Sequence, residues 1–142
     1  MGTLSELANE WFERVWNNCD AEYIDTALAQ SCELTGLTPE PIKSPADFHQ
    51  FHEMLNSVFR DIHVDIDHLL ENDDICSGVV SVRAVHRSTD KLVHLKSSFF
   101  STFRDGQIYK VTNLVDYLSV LIQVGAIPPD IIEKGFAGET VL

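Results

Sequence analysis

The fold depends mainly on residues 75–115, which read ICSGVVSVRAVHRSTDKLVHLKSSFFSTFRDGQIYKVTNLV. Three runs in this stretch have the alternating, β-branched pattern of strands, namely Ile75 to Arg87, Leu92 to Arg104 and Gln107 to Val115. Short polar turns join these runs, and the second turn, Asp105-Gly106, is typical of a tight hairpin. Because strands joined by such short turns run antiparallel, the stretch predicts an antiparallel meander.

A fourth strand is predicted directly before this meander. Ile62, Val64 and Ile66 alternate with polar residues, which is the pattern of a strand that is buried on one face. The polar run from Glu71 to Asp74 ends it. The sequence therefore predicts four consecutive antiparallel strands.

Helical patterns flank the four strands. Apolar residues at helical spacing predict a first helix from Leu4 to about Trp16 and a short second helix capped by Asp20. Ser44-Pro45 starts a third helix, because serine is a good cap and proline suits the first helical position. After the last strand, a helix is predicted from Tyr117 to Val124. Residues 31–43 are predicted to be a loop with room for a short strand, and no element is predicted beyond Pro128.

The order of helices followed by strands predicts the α+β class in a single domain, residues 1–142. We expect a curved antiparallel sheet with helices packed on its concave face. This arrangement forms a cone with one concave site, where a ligand would bind.

Charge and cysteine content narrow the classes of partner. The chain has 10 Lys and Arg against 22 Asp and Glu, which gives a net charge of −12. Because such a surface repels phosphate backbones and anionic headgroups, no nucleic-acid or membrane partner is expected. Cys19, Cys32 and Cys76 form no C-x-x-C pair, so we interpret them as small buried residues and expect a cytoplasmic location.

Several local strings occur in an order that resembles one known family. They are WFERVWNNCD at residues 11–20, VFRD at 58–61, FRDGQI at 103–108, DYL at 116–118 and QVGAIP at 123–128. Together they resemble the SnoaL-like, polyketide cyclase-like branch of the nuclear transport factor 2-like superfamily, over roughly Leu4 to Pro128. The resemblance implies a conical α+β barrel of the cystatin-like type, and commonly a homodimer through the open sheet face. This fold hosts both enzymes and binding modules, so it does not by itself assign an activity.

The resemblance also implies a set of site residues. Asp116 matches the general acid/base of the family's cyclases, and His86 matches a histidine that would assist it as catalytic partner. The ligand would be a small, largely apolar, carbonyl-bearing molecule, and such proton transfer requires no cofactor. The expected ligand-binding residues are Trp16, Lys96, Ser98, Phe100 and Thr112.

Structural roles are open alternatives for the same residues. Asp116 directly precedes the predicted last helix and could be its cap. His86 could be a hydrogen-bonded histidine at the rim of the sheet, and Lys96 a solvated strand residue. The inward direction of Lys96, Ser98 and Thr112 also depends on strand phase, which a single bulge would reverse.

A second function hypothesis is a non-catalytic binding or dimerisation module. In the resemblance, Thr112 replaces the family's usual tryptophan, and this change, the short loop after His86 and the pair Lys96 and Ser98 favour this hypothesis, whereas the retained Asp116 favours the first. A cavity well below about 300 Å³ would leave no room for a typical ligand and would count against the enzyme hypothesis. No metal site is predicted, although His63, Asp65 and Asp67 share a strand face and His49, His52 and Glu53 lie close together in sequence.

Overall fold

The computed structural model describes residues 3–140, which form five strands and a set of short helices. The strands are β1 (Leu28–Thr35), β2 (Phe59–Asn72), β3 (Ile75–His86), β4 (Lys91–Arg104) and β5 (Gln107–Val115). The α-helices are α1 (Leu4–Trp11), α2 (Glu22–Ala27), α3 (Pro45–Val58), α4 (Tyr117–Gln123) and α5 (Ile131–Phe136). A π-helix at Phe12–Asn17 directly continues α1.

The strands form one sheet in the order β1-β5-β4-β3-β2. From β2 to β5 it is the predicted antiparallel meander, and the predicted α+β class is confirmed. β1 is an additional strand that pairs with β5 in parallel at the edge. We expected only a loop with room for a short strand from residue 31, because Gly36 and the prolines after it are loop signals.

The cap of α3 forms as the sequence indicates. The Ser44 hydroxyl accepts a hydrogen bond from the Asp47 backbone N–H at 3.2 Å, and Pro45 occupies the first turn. The predicted cap at Asp20 is wrong, since α2 begins after Ala21. The Asp20 carboxylate instead forms an ion pair with Arg14 at 3.2 Å.

The predicted first helix changes its geometry halfway. The backbone N–H of Asn18 donates to the carbonyl of Glu13 at 2.9 Å, five residues back, as in a π-helix. The Asn17 side chain then bonds both to the N–H of Val64 at 2.7 Å and to its C=O at 3.1 Å. These two bonds attach the helix to the edge strand β2.

Aromatic side chains pack the helices on the concave face of the sheet. Phe48 of α3 lies 5.0 Å from Trp11, measured between ring centroids, and Phe12 lies 5.3 Å from Phe99 of β4. Trp16 contacts Phe48 and Phe51 edge-on. This packing leaves the helices across the mouth of the curved sheet.

Two further expectations need correction. Cys19 is exposed, whereas Cys32 and Cys76 are buried as expected, and burial raises the pKa of both buried thiols. The segment after Pro128 contains the short helix α5, in which Phe136 is 90% exposed. Between residues 3 and 140, no helix has the length and hydropathy needed to cross a membrane.

Candidate ligand-binding site

An apolar cavity of about 190 Å³ lies between the helices and the concave face of the sheet. The sheet supplies one wall from β3, β4 and β5, and the helices supply the other. Apolar side chains dominate the lining, which includes Ala8, Trp11, Phe12, Trp16, Phe48, Phe51, Val64, Val80, Val82, Ala84, Phe99, Phe103 and Val111. Of the residues predicted to bind ligand, Trp16 lies in the helical wall of the cavity.

Among residues 3–140, four polar side chains interrupt the apolar lining, namely those of Ser97, Ser101, Asn113 and Tyr117. The Ser101 hydroxyl donates to the carbonyl of Cys76, and the Tyr117 hydroxyl donates to that of Leu37 at 2.7 Å. Asn113 donates one amide N–H to the carbonyl of Thr35 at 3.0 Å. The polar groups are therefore concentrated on the wall formed by β4, β5 and the start of α4.

Tyr117 is the one ionisable side chain that lines the cavity within residues 3–140. Desolvation raises the pKa of its phenol above the ordinary value of 10.0, so the group is neutral near pH 7. Proton abstraction next to a carbonyl needs a base that is free at working pH. No such base lines the cavity within residues 3–140.

The predicted phase of β4 and β5 is wrong. Ser97, Phe99 and Ser101 face the cavity, so the intervening Lys96, Ser98 and Phe100 lie on the outer face of the sheet. Phe100 is 51% exposed there. Lys96 bonds to Asp67 at 2.8 Å and to Ser81 at 3.0 Å, both on neighbouring outer-face positions.

Thr112 on β5 also lies outside the cavity. Val111, Asn113 and Val115 line the cavity, and the strand alternation places Thr112 between them on the other face. A bulge where Thr102 and Phe103 meet β5 shifts the pairing register at the start of this strand.

Asp116 occupies the N-cap of α4. Its carboxylate accepts a hydrogen bond from the Ser119 backbone N–H at 3.1 Å, and its own N–H donates to the carbonyl of Lys96 at 3.3 Å. The residue is exposed and does not line the cavity. This geometry matches the capping alternative, while a catalytic role stays a prediction.

His86 lies at the end of β3, away from Asp116. Its Nδ1 is 2.8 Å from the Thr89 hydroxyl, and its ring lies 5.4 Å from that of Phe59, which lines the cavity. Asp116 sits beside Lys96, which pairs with Ser81, five residues before His86 on β3. Five residues of a strand span roughly 16 Å, and this distance separates Ser81 from His86. The structure therefore does not bring the two predicted catalytic residues together.

The residue pattern along β4 contains a signal for the polar lining. On β4 the odd positions carry Val93, Leu95, Phe99 and Phe103, whereas the even positions include His94, Lys96 and Arg104. The more apolar set marks the buried face. Ser97 and Ser101 are at odd positions, so this pattern predicts that they face the cavity.

The histidines of the two groups considered as metal ligands make hydrogen bonds to other groups of the described chain. His63 contacts Asp65 at 3.0 Å and His49 contacts Asp25 at 3.0 Å, in both cases through Nε2. The buried His52 bonds through Nε2 to the carbonyl of Val15 at 2.8 Å. Since a carbonyl only accepts, this nitrogen carries the proton.

The comparisons with known proteins agree with this architecture. The family model described as SnoaL-like polyketide cyclase matches residues 6–124, so the chain belongs to the SnoaL-like polyketide cyclase family. The resemblance inferred from the local strings is confirmed over that range. No curated protein sequence matches the chain.

Solved structures show the same fold at low identity. TsrD from Streptomyces laurentii is 14% identical, with a TM-score of 0.78 over 87% of this chain and 96% of its own. Wild-type IdmH from Streptomyces antibioticus, a proposed polyketide cyclase, is 16% identical, with a TM-score of 0.79 over 87% and 99%. A hypothetical protein from Catenulispora acidiphila with a ketosteroid isomerase-like fold, in complex with trimethylamine, is 13% identical, with a TM-score of 0.77 over 84% and 92%. At these identities the likeness establishes the fold alone.

Proposed function

We propose that this protein binds a small, largely apolar molecule in its conical cavity. One observation carries the proposal: the cavity is lined by aromatic and aliphatic side chains with four polar interruptions and, within the described chain, by no carboxylate, histidine or lysine. Such a lining gains free energy by burying apolar ligand surface.

The size of the cavity limits the ligand. Its volume of about 190 Å³ is below the roughly 300 Å³ at which pockets for drug-sized ligands begin. An engineered apolar cavity of about 150 Å³ holds benzene. We therefore expect a single-ring molecule to fit, and a fused ring system of three or four rings to be excluded.

Tryptophan fluorescence gives a direct test. The chain has 2 Trp, Trp11 and Trp16, and both line the cavity. The protein is titrated with propylbenzene, naphthalene, anthracene and tetracene, and the fluorescence is excited at the red edge of tryptophan absorption. Propylbenzene should change the tryptophan emission, whereas anthracene and tetracene should not. Equal responses across the series, or none at all, would refute the proposal.

A variant that fills the cavity supplies the control. Ala84 lines the cavity from β3, so Ala84→Leu should occupy part of the ligand volume and weaken propylbenzene binding at least tenfold. Val79 lies on the outer face of the same strand, beside Lys96 and Ser98. Val79→Leu should leave the affinity unchanged, and an equal loss in both variants would mean that binding occurs elsewhere.

A second candidate function is cofactor-free cyclisation or isomerisation of a carbonyl-bearing substrate, with Asp116 as acid/base and His86 as its partner. Membership of the SnoaL-like polyketide cyclase family favours it. It requires the α4 cap to open or to deliver a carboxylate oxygen past the cavity rim, because Asp116 does not line the cavity at rest.

Two substitutions at Asp116 separate capping from catalysis. Asparagine keeps a side-chain oxygen for the cap but cannot act as a base, whereas Asp116→Ala should cost about 1 kcal/mol of stability through the lost cap. The readout is deuterium exchange next to the carbonyl of cyclohexanone, followed by NMR. Exchange by the wild type that Asp116→Asn abolishes would favour the enzyme, and no exchange by the wild type would remove this candidate.

We also propose a homodimer through the outer face of the sheet. Phe100 and Leu114 are 51% and 72% exposed on this face. Its charges are largely paired, as in Lys96 with Asp67 at 2.8 Å and Lys110 with Glu33 at 3.8 Å. On a chain of net charge −12, a nearly neutral face is where a second copy meets least repulsion.

The oligomeric state tests this interface. Leu114→Glu should convert a dimer into a monomer in sedimentation equilibrium, because it places a like charge pair at the centre of the contact. Phe136 on α5 is 90% exposed but lies outside the face, so Phe136→Glu is the matched control and should stay dimeric. A monomeric wild type would contradict the proposal.

A further inference from the structure

We infer that the ligand of this cavity is a neutral molecule that carries a hydroxyl group, which donates a hydrogen bond to the side-chain oxygen of Asn113. The inference deepens the binding function proposed above and rests on it. The hydrogen bonds of the polar wall leave some of its donors and acceptors free, and these select the ligand.

Most hydrogen-bond donors of the polar wall are occupied by backbone carbonyls. The hydroxyl protons of Ser101 and Tyr117 are given to Cys76 and Leu37, so these two oxygens offer the cavity only acceptor lone pairs. Asn113 gives one N–H to Thr35, which fixes the orientation of its amide. The wall thus presents several oxygens and few free protons.

Asn113 Oδ1 is an acceptor that no described residue satisfies. The side chain makes one hydrogen bond, through its nitrogen, and the Ser97 side chain makes none within residues 3–140. Within that range, every fully buried side-chain nitrogen or oxygen has a hydrogen-bond partner. Asn113 Oδ1 and the Ser97 hydroxyl oxygen have none, so both must be accessible rather than fully buried. Both residues line the cavity, where a bound ligand would meet them.

Ser97 and Asn113 are close enough to share one ligand group. Ser97 pairs with Val115, and the adjacent inward position on β4, Phe99, pairs with Asn113. The two are therefore diagonal neighbours on the inner face, with Cβ atoms roughly 7 Å apart. A ligand hydroxyl between them would donate to Asn113 Oδ1 and accept from the Ser97 hydroxyl.

A ligand without such a donor would be disfavoured. When an apolar ring fills the cavity it displaces water, and a ketone or ether would leave Asn113 Oδ1 buried without a partner. The indole N–H groups of Trp11 and Trp16 lie in the helical wall, and neither donates to Asn113 Oδ1 within the described chain, so they do not relieve this cost. The lack of a charged lining residue in the described chain selects a neutral ligand.

Matched ligands test the inference. The wild type is titrated calorimetrically with propylbenzene, para-propylphenol and para-propylanisole, which share one ring and one alkyl chain. We expect the phenol to bind about tenfold tighter than its methyl ether. Equal affinities would overturn the inference while leaving the binding function intact, whereas no binding by any of the three would overturn both.

Variants on the two faces of β4 show which residues cause the preference for the phenol. Ser97→Ala removes a hydroxyl that has no described protein partner, so it should weaken the phenol about three- to tenfold and leave propylbenzene unchanged. Ser98→Ala is the matched control on the outer face and should change neither. Asn113→Leu should abolish the preference for the phenol. A preference that survives both Ser97→Ala and Asn113→Leu would overturn the assignment.

Discussion

At the scale of single residues, Gly36 organises the polar side of the cavity. Its φ is +88°, and it lies between Thr35 and Leu37. The Thr35 carbonyl accepts a hydrogen bond from the Asn113 side chain, and the Leu37 carbonyl accepts one from the Tyr117 hydroxyl. A Cβ at Gly36 would lie 1.9 Å from the backbone oxygen of Asn113. The close approach of this loop to β5 therefore requires glycine, both for the positive φ and for the missing side chain.

Gly36→Ala should be strongly destabilising, by about 2–4 kcal/mol, since the clash is with backbone and adds to the cost of the left-handed conformation. Gly138 has a similar φ of +83° but no atom within 4 Å of its would-be Cβ. Gly138→Ala is thus a matched control, with an expected loss of about 1 kcal/mol or less. Equal losses in urea unfolding would show that the contact with Asn113 is unimportant.

At the scale of elements, amide side chains attach the helices to the sheet. Gln123 at the end of α4 accepts from the N–H of His94 at 2.8 Å and donates to its C=O at 2.7 Å, as a neighbouring strand would. β5 pairs with β4 only from Ser97 onward, so this clamp covers the unpaired part of β4. It also holds Tyr117 and Val120 of α4 against the cavity.

Loss of this clamp should loosen α4. Gln123→Ala removes both bonds to His94, and we expect a stability loss of about 1–3 kcal/mol, faster amide exchange in residues 117–123 and faster ligand dissociation. Gln50 is an exposed residue on α3 and provides the control, Gln50→Ala. Unchanged exchange in α4 would show that other contacts hold the helix.

Elements with local signals were predictable, and those that depend on distant pairing were not. The Ser44-Pro45 start of α3 and the Asp105-Gly106 turn act within a few residues, so their patterns appear directly in the sequence. β1 exists because it pairs with β5, about 80 residues later, which no local pattern reveals. The fold predicts a concave site, whereas Lys96, Ser98 and Thr112, which are predicted to face it, lie on the outer face because the predicted phase of β4 and β5 is wrong.

At the scale of the whole molecule, charge sets the conditions for association. Each copy carries a net charge of −12, whereas the outer sheet face pairs its lysines with neighbouring carboxylates. The hydrogen bond from Lys96 also lowers the pKa of Asp67, so this pair stays charged in mildly acidic solution. In the proposed dimer, two copies therefore repel at long range and attract only at the contact.

Salt should strengthen the proposed dimer. At about 0.15 M ionic strength the screening length is about 8 Å, so added salt reduces the long-range repulsion more than the contact itself. We expect the dimer dissociation constant, measured by sedimentation, to fall as sodium chloride rises from low concentration to about 0.5 M. A rise would mean that ion pairs between the copies dominate the interface.

The location of an apolar guest shows whether this cavity is the binding site. A crystal pressurised with xenon, which binds in apolar cavities, should show a xenon atom in the cavity, against Trp16, Val80 and Phe99. We expect this peak in the wild type and a weaker one in Ala84→Leu. Xenon found only on the outer face of the sheet, or a cavity that takes up none, would contradict the assignment of this cavity as the binding site.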